Sequence, residues 1–92
     1  MNILLVAATQ AEINPFLLHH GFQNLSIRKK QIGEHQVSVL ISGVGMVATA
    51  FAMGSFCAEN IFDLAINAGI AGSFDPAILP GDLCRVSEDT LA

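Results

Sequence analysis

Hydrophobic and polar positions along this chain fall into blocks that switch between a period of about two and one of about 3.6, and each switch marks an element. Asn2 to Ala8, apolar from Ile3 onward, predicts a first strand. Thr9 can cap a helix running to about His20, with Pro15 in its early turns, Leu17 and Leu18 on the buried side and Gly21 as its stop. Asn24 to Ile32 and Gln36 to Ser42 read as two strands joined by Gly33-Glu34-His35, an antiparallel hairpin in which Val37, Val39 and Ile41 alternate. Gly43-Val44-Gly45 then opens a long helix to about Asn60. Its Val47, Ala50, Phe51, Gly54 and Cys57 form one stripe at helical spacing, the side expected to meet the core.

The next block has a different character. Leu64 to Ala68 is apolar at nearly every position rather than at alternate ones, the pattern of a central parallel strand covered on both faces. It runs into Gly69-Ile70-Ala71-Gly72, where the glycines are expected to take positive φ and to bring bare N–H groups close to a ligand. Ligands in open α/β sheets sit beyond the carboxyl ends of such strands, so this loop is the first candidate for a small-molecule site. It carries no Lys, Arg or His. Pro80-Gly81-Asp82 predicts a turn into a last strand at Leu83 to Ser87. The alternation of strands and helices places the chain in the layered α/β class.

Composition narrows the partners. The 92 residues, 52% of them hydrophobic, can supply one core and not two, so Met1 to Ala92 is one domain or part of one. A net charge of −4 and only four Lys or Arg leave no basic face for nucleic acid. The single basic run, Arg28-Lys29-Lys30, reads as a solvated strand edge. The apolar start at Ile3 is too short for a membrane span or a signal core, which implies a cytoplasmic protein with no membrane partner. Cys57 and Cys84 lack metal or redox spacing and are expected to be reduced and packed.

Two patterns invite other chemistry. Gly43-Val44-Gly45-Met46-Val47-Ala48 fits a dinucleotide fingerprint, with Asp63 about twenty residues on. That fingerprint belongs after the first strand of a βαβ unit, with the acid ending the following strand, whereas here it follows a hairpin and Asp63 precedes a strand. Neighbouring His19 and His20 would point about 100° apart on a helix with no third ligand close in sequence, so charge at a helix C-terminus explains them better than a metal.

Three blocks together resemble the purine nucleoside phosphorylase and nucleosidase superfamily. They are Ile3-Leu4-Leu5-Val6-Ala7-Ala8-Thr9-Gln10-Ala11-Glu12-Ile13, Ser42-Gly43-Val44-Gly45-Met46-Val47-Ala48-Thr49-Ala50, and Ile66-Asn67-Ala68-Gly69-Ile70-Ala71-Gly72-Ser73-Phe74-Asp75 with Pro80-Gly81-Asp82. Within it they most closely resemble the futalosine hydrolases of menaquinone biosynthesis, with the methylthioadenosine/S-adenosylhomocysteine nucleosidases as the nearest alternative. The resemblance implies a three-layer α/β fold around a central mixed sheet, a purine nucleoside substrate, neither metal nor cofactor, and a homo-oligomer. It also implies that Glu12 orients and deprotonates the attacking water, and that Ala8, Gly69, Ile70, Ala71 and Gly72 contact substrate.

Departures from the phosphorylase branch bear on the reaction. Resemblance to those enzymes would put an Arg at Asn67, a Ser at Ile70 and an Arg-bearing phosphate loop around Thr9 to Glu12; none is present. A phosphate dianion would meet Glu12 and an uncharged loop, which leaves water as the nucleophile. The resemblance further implies that the ribose-binding pair and the acid for the purine leaving group lie beyond Ala92. Asp75, Asp82, Glu88 and Asp89 read as turn or strand-end residues and do not replace that acid. The expectation is therefore the N-terminal part of a nucleosidase, a truncated product or a partial sequence. By itself it would be inactive, or would only bind or self-associate through an unfinished sheet.

Overall fold

The computed structural model of the chain describes residues 1–22 and 29–88. In chain order the elements are β1 (Asn2–Ala7), α1 (Gln10–His19), β2 (Lys29–Ile32), β3 (His35–Ile41), α2 (Met46–Glu59) and β4 (Leu64–Asn67). The strands form one mixed sheet in the order β2-β3-β1-β4. β1 is parallel to both β3 and β4, and β2 is antiparallel to β3. The first part of the expected strand from Asn24, Arg28 of the basic run, and Asp89 lie outside the described residues.

The core is split by the sheet, as alternation along a strand demands. On one face Leu5, Ala7, Val37 and Val39 pack with Ile13 and Leu17 of α1 and with Phe22. On the other, Leu4, Val6 and Leu40 receive Ala52, Met53 and Phe56 of α2, together with Phe62. The result is a three-layer α/β arrangement with β1 and β3 in the middle.

α1 stops where its sequence says it should. Thr9 is its N-cap residue but makes no side-chain capping bond. At the other end Gly21 takes φ +76°, Gly21 N–H donates to Leu18 O (3.3 Å) and Phe22 N–H donates to Leu17 O (2.8 Å). This pairing is a Schellman motif. It turns Phe22 back onto Leu17, so the end of the helix is sealed by two of the most deeply buried side chains. The Gly33-Glu34 turn, with Gly33 at φ +60°, joins β2 and β3 through two residues, and β3 starts at His35, inside the segment expected to be the turn. At the amino edge of the sheet Asp63 Oδ2 accepts Asn2 N–H (2.7 Å) while Asp63 N–H donates to Asn2 O (2.8 Å), tying the starts of β1 and β4 together.

Several expectations are corrected. Leu17 is buried at 1% exposure, but Leu18 is 68% exposed, because one turn of a helix turns only one of two neighbours toward the sheet. In α2 the stripe of Val47, Ala50, Phe51, Gly54 and Cys57 is exposed, and the sheet takes the side bearing Ala52, Met53 and Phe56 instead. α2 is apolar nearly all round, so periodicity leaves its two sides equivalent. Packing decides between them: Phe56 stacks on Phe62 at 5.7 Å, above Leu4 and Val6. Cys57 and Cys84 are free thiols but both exposed rather than packed.

β4 is parallel as expected but lies at the end of the strand order rather than in its centre, with Leu64 and Ile66 still exposed. Central burial belongs to β1, where Leu4 through Ala7 are all buried. The expected strand at Leu83 to Ser87 is also not formed; the described residues after β4 carry turns but no strand. An extended segment becomes a strand only by pairing. Among those turns, Leu79-Pro80-Gly81-Asp82 follows the proline-glycine pattern, with Gly81 at φ +93° and Asp82 N–H donating to Leu79 O (3.0 Å). Asp75 Oδ1 accepts Ala77 N–H (2.9 Å) and Asp82 Oδ2 accepts Leu79 N–H (2.8 Å), so both aspartates are turn formers as read.

The two leucines at the end of α1 provide a test of this packing. Leu17→Ala is expected to cost about 2–5 kcal/mol of stability as a buried truncation. Leu18→Ala should stay within about 0.5 kcal/mol as a surface change. Urea unfolding of the two variants beside the parent checks the difference, and equal costs would show that α1 presents another face to the sheet.

Candidate functional site

Because β1, β3 and β4 run parallel, their carboxyl ends lie at the same end of the sheet, where an α/β layer opens toward ligands. β1 is followed by Ala8, β3 by Ser42 and Gly43, and β4 by Ala68 and Gly69. The strand ends are stitched by main-chain bonds: Ser42 N–H donates to Ala7 O (2.9 Å), Gly43 N–H to Ala8 O (3.1 Å) and Ala68 N–H to Val6 O (2.8 Å). Ala8 is thereby held at the centre of this end, half-buried.

Glu12 stands in the first turn of α1, half-buried, where a carboxylate is stabilised by the unpaired N–H groups of a helix N-terminus. It reaches across to the loop after β4. A methyl group on Gly69 would lie 3.4 Å from Glu12 Oε2, 3.7 Å from Cδ and 3.8 Å from Oε1. Glu12 and Gly69, named from two separated stretches of sequence, thus come together at the end of the sheet where Ala8 follows β1. Ile70, Ala71 and Gly72 follow as exposed chain, and nothing lies within 4 Å of a methyl group placed on Gly72.

The loop's glycines differ from expectation. Gly69 and Gly72 are not among the residues with positive φ, whereas Gly43 (φ +84°) and Gly45 (φ +98°) are. The turn that requires glycine is therefore the one between β3 and α2, and neither glycine of the loop after β4 is held at positive φ. The dinucleotide pattern at Gly43 to Ala48 begins α2, but its supposed ribose acid is engaged elsewhere. Asp63 is bonded to the backbone at the amino edge, the far end of the sheet from this loop.

A hydroxyl pair that the sequence reading passed over shapes the same end. Ser42 Oγ lies 3.0 Å from Gly43 O and 3.2 Å from Thr49 Oγ1, and Thr49 Oγ1 donates to Gly45 O at 2.9 Å. Gly45 is the N-cap residue of α2 and has no side chain to cap with. Ser42 and Thr49 instead grip the positive-φ loop from below and from one helical turn above. A Ser before Gly-x-Gly with a Thr seven residues on was the available signal.

His19 and His20 sit at the C-terminal end of α1, with the His20 ring 4.6 Å from Phe16 and edge-on to His19 at 4.8 Å. Among the described residues no group of three or more His, Cys, Asp or Glu is placed to hold a metal ion. No helix among them is long and apolar enough to cross a membrane.

Comparison with known proteins adds the family context. Residues 2–89 match the family model described as "Phosphorylase superfamily". The chain is 29% identical over 96 aligned residues to a 5'-methylthioadenosine/S-adenosylhomocysteine nucleosidase of Pseudoalteromonas translucida (strain TAC 125), an alignment covering 96% of this chain and 40% of that protein. The chain thus matches less than half the length of this curated relative. No solved structure matches it.

The hydroxyl pair can be tested on stability. Ser42→Ala should cost about 1–2 kcal/mol, since it leaves part-buried polar neighbours with a partner fewer. Combined with Thr49→Val it should cost less than the two changes added, because the groups share one network. Denaturant unfolding of the singles and the double gives the comparison; strict additivity would mean that the hydroxyls act independently.

Proposed function

Because the chain belongs to the phosphorylase superfamily, we propose that Met1 to Ala92 is the N-terminal part of a single nucleosidase domain in which Glu12 is the general base. The observation that carries this reading is the Glu12 carboxylate beside Gly69 at the carboxyl end of the parallel strands. The reaction is hydrolysis of the N-glycosidic bond of a purine nucleoside. Glu12 accepts a proton from water as the water oxygen bonds to C1′ of the ribose, the C1′–N bond breaks, and its electron pair leaves with the purine. The sugar is oxocarbenium-like at the crossing, so a carboxylate near C1′ also stabilises developing positive charge. Ala8 and the main chain of Gly69, Ile70, Ala71 and Gly72 line the substrate side. Protonation of the leaving base and ribose positioning would fall to residues after Ala92.

Water rather than phosphate is favoured by what the site presents. Asn67 ends β4 and Ile70 is exposed in the loop, and neither offers charge or a hydroxyl to a phosphate dianion that would also face Glu12. The substrate we favour is futalosine or aminodeoxyfutalosine, supported by the three sequence blocks. Hydrolysis of methylthioadenosine or S-adenosylhomocysteine is the second reading, supported by the similarity to the Pseudoalteromonas protein. A cytoplasmic homo-oligomer belongs to the same reading, in keeping with the exposed Val47 and Phe51 of α2.

In the complete enzyme, Glu12→Gln should lower kcat by about 10²- to 10⁴-fold with little change in KM, the range typical of a lost acid–base group. Full turnover in a folded Glu12→Gln variant would remove the base from the mechanism.

Products and substrates separate the remaining branches. Turnover should release free sugar at a rate independent of phosphate; a sugar 1-phosphate, or a rate saturating with phosphate, would make the enzyme a phosphorylase. The kcat/KM values for aminodeoxyfutalosine and methylthioadenosine, measured side by side, decide between the two substrate readings.

A further inference from the structure

Glycine is required at a position for one of two physical reasons: a backbone conformation closed to other residues, or an approach too close for a side chain. At Gly69 the first reason is absent, since its φ lies outside the positive range. The approach is not too close either, since a methyl group would stand at ordinary van der Waals distance from its neighbours; what matters is which group those neighbours belong to. All three heavy atoms nearest a methyl group at this position belong to the Glu12 carboxyl group: Oε2 at 3.4 Å, Cδ at 3.7 Å and Oε1 at 3.8 Å. Near-equal distances to both oxygens and to the carbon between them put that methyl over the flat face of the carboxylate, rather than against one lone pair. Gly72, three residues on, would have nothing within 4 Å of such a methyl group, so this relation does not extend along the loop.

We propose that Gly69 is a positioning residue for the base: its bare Cα leaves one face of the Glu12 carboxylate open, so that the group can turn and accept a proton from a water lying in its plane. This inference rests on the assignment of Glu12 as the general base. A side chain at position 69 would be in ordinary van der Waals contact with all three carboxyl atoms. It would strip water from that face and restrict rotation about the last side-chain bond, while demanding no backbone change. The fold is therefore unaffected and the cost falls on proton transfer.

The test is a double-mutant cycle in the complete enzyme, using Gly69→Ala, Glu12→Gln and the pair. Gly69→Ala should fold as the parent does by circular dichroism, lower kcat at least about 10-fold, as misplacement of a catalytic group does, and leave KM within about twofold. In the Glu12→Gln background the same change should alter kcat by less than about twofold, because its effect runs through the carboxylate. An unchanged kcat in Gly69→Ala would overturn the proposal while the base assignment stood. So would a rise in KM with kcat preserved, or an equal loss in both backgrounds, since either makes Gly69 a substrate contact in its own right. Full turnover in Glu12→Gln alone would instead remove the base assignment, and this inference with it.

Discussion

The burial of β1 on both faces is the constraint from which the rest of the arrangement follows. Leu5 and Ala7 point into one layer and Leu4 and Val6 into the other, so one strand can be satisfied only if helices cover the sheet above and below. Parallel pairing to β3 on one side and β4 on the other brings three carboxyl ends together. The site is a consequence of that alignment. No residue of the candidate site lies within β1, yet Ala8, Gly43 and Gly69 stand at the same end because each comes after a strand laid parallel in the same sheet.

The chemistry at this end is sparse and correspondingly legible. A helix N-terminus supplies Glu12, a glycine stands beside its carboxylate, and main chain from the strand ends supplies the surroundings. A single half-buried carboxylate suits activation of water and is ill suited to holding an anion, which is why the departures at Asn67 and Ile70 weigh as much as the matches do. The Ser42–Thr49 pair works one step back, holding the positive-φ turn that sets how α2 leaves the sheet.

Much apolar surface stays uncovered, and its distribution is specific. The outer side of α2, with Val47 and Phe51, and the segment bearing Ile70, Phe74 and Leu83 are all exposed, as is β4 at the end of the sheet. The chain matches 40% of its curated relative's length.

Local patterns determined most of the elements. The apolar run from Ile3, the Gly21 stop, the Gly33 turn, the Pro80-Gly81 turn and the α2 start after Gly43-Val44-Gly45 depend on residue type and near neighbours, and each forms close to where the pattern puts it. Glu12 and Gly69 were also nameable from their motifs. What tertiary structure decided is everything that needs a partner: which side of the uniformly apolar α2 faces the sheet, whether Leu17 or Leu18 is buried, that β1 rather than β4 is central, and that Leu83 to Ser87 stays unpaired. It also decided what stands beside a motif glycine. The motif suggested positive φ at Gly69, whereas the fold does not use it there and sets a carboxylate from a residue 57 positions earlier within 4 Å of where its side chain would begin. A sequence carries propensities one neighbourhood at a time; distances between neighbourhoods exist only once a sheet has aligned them.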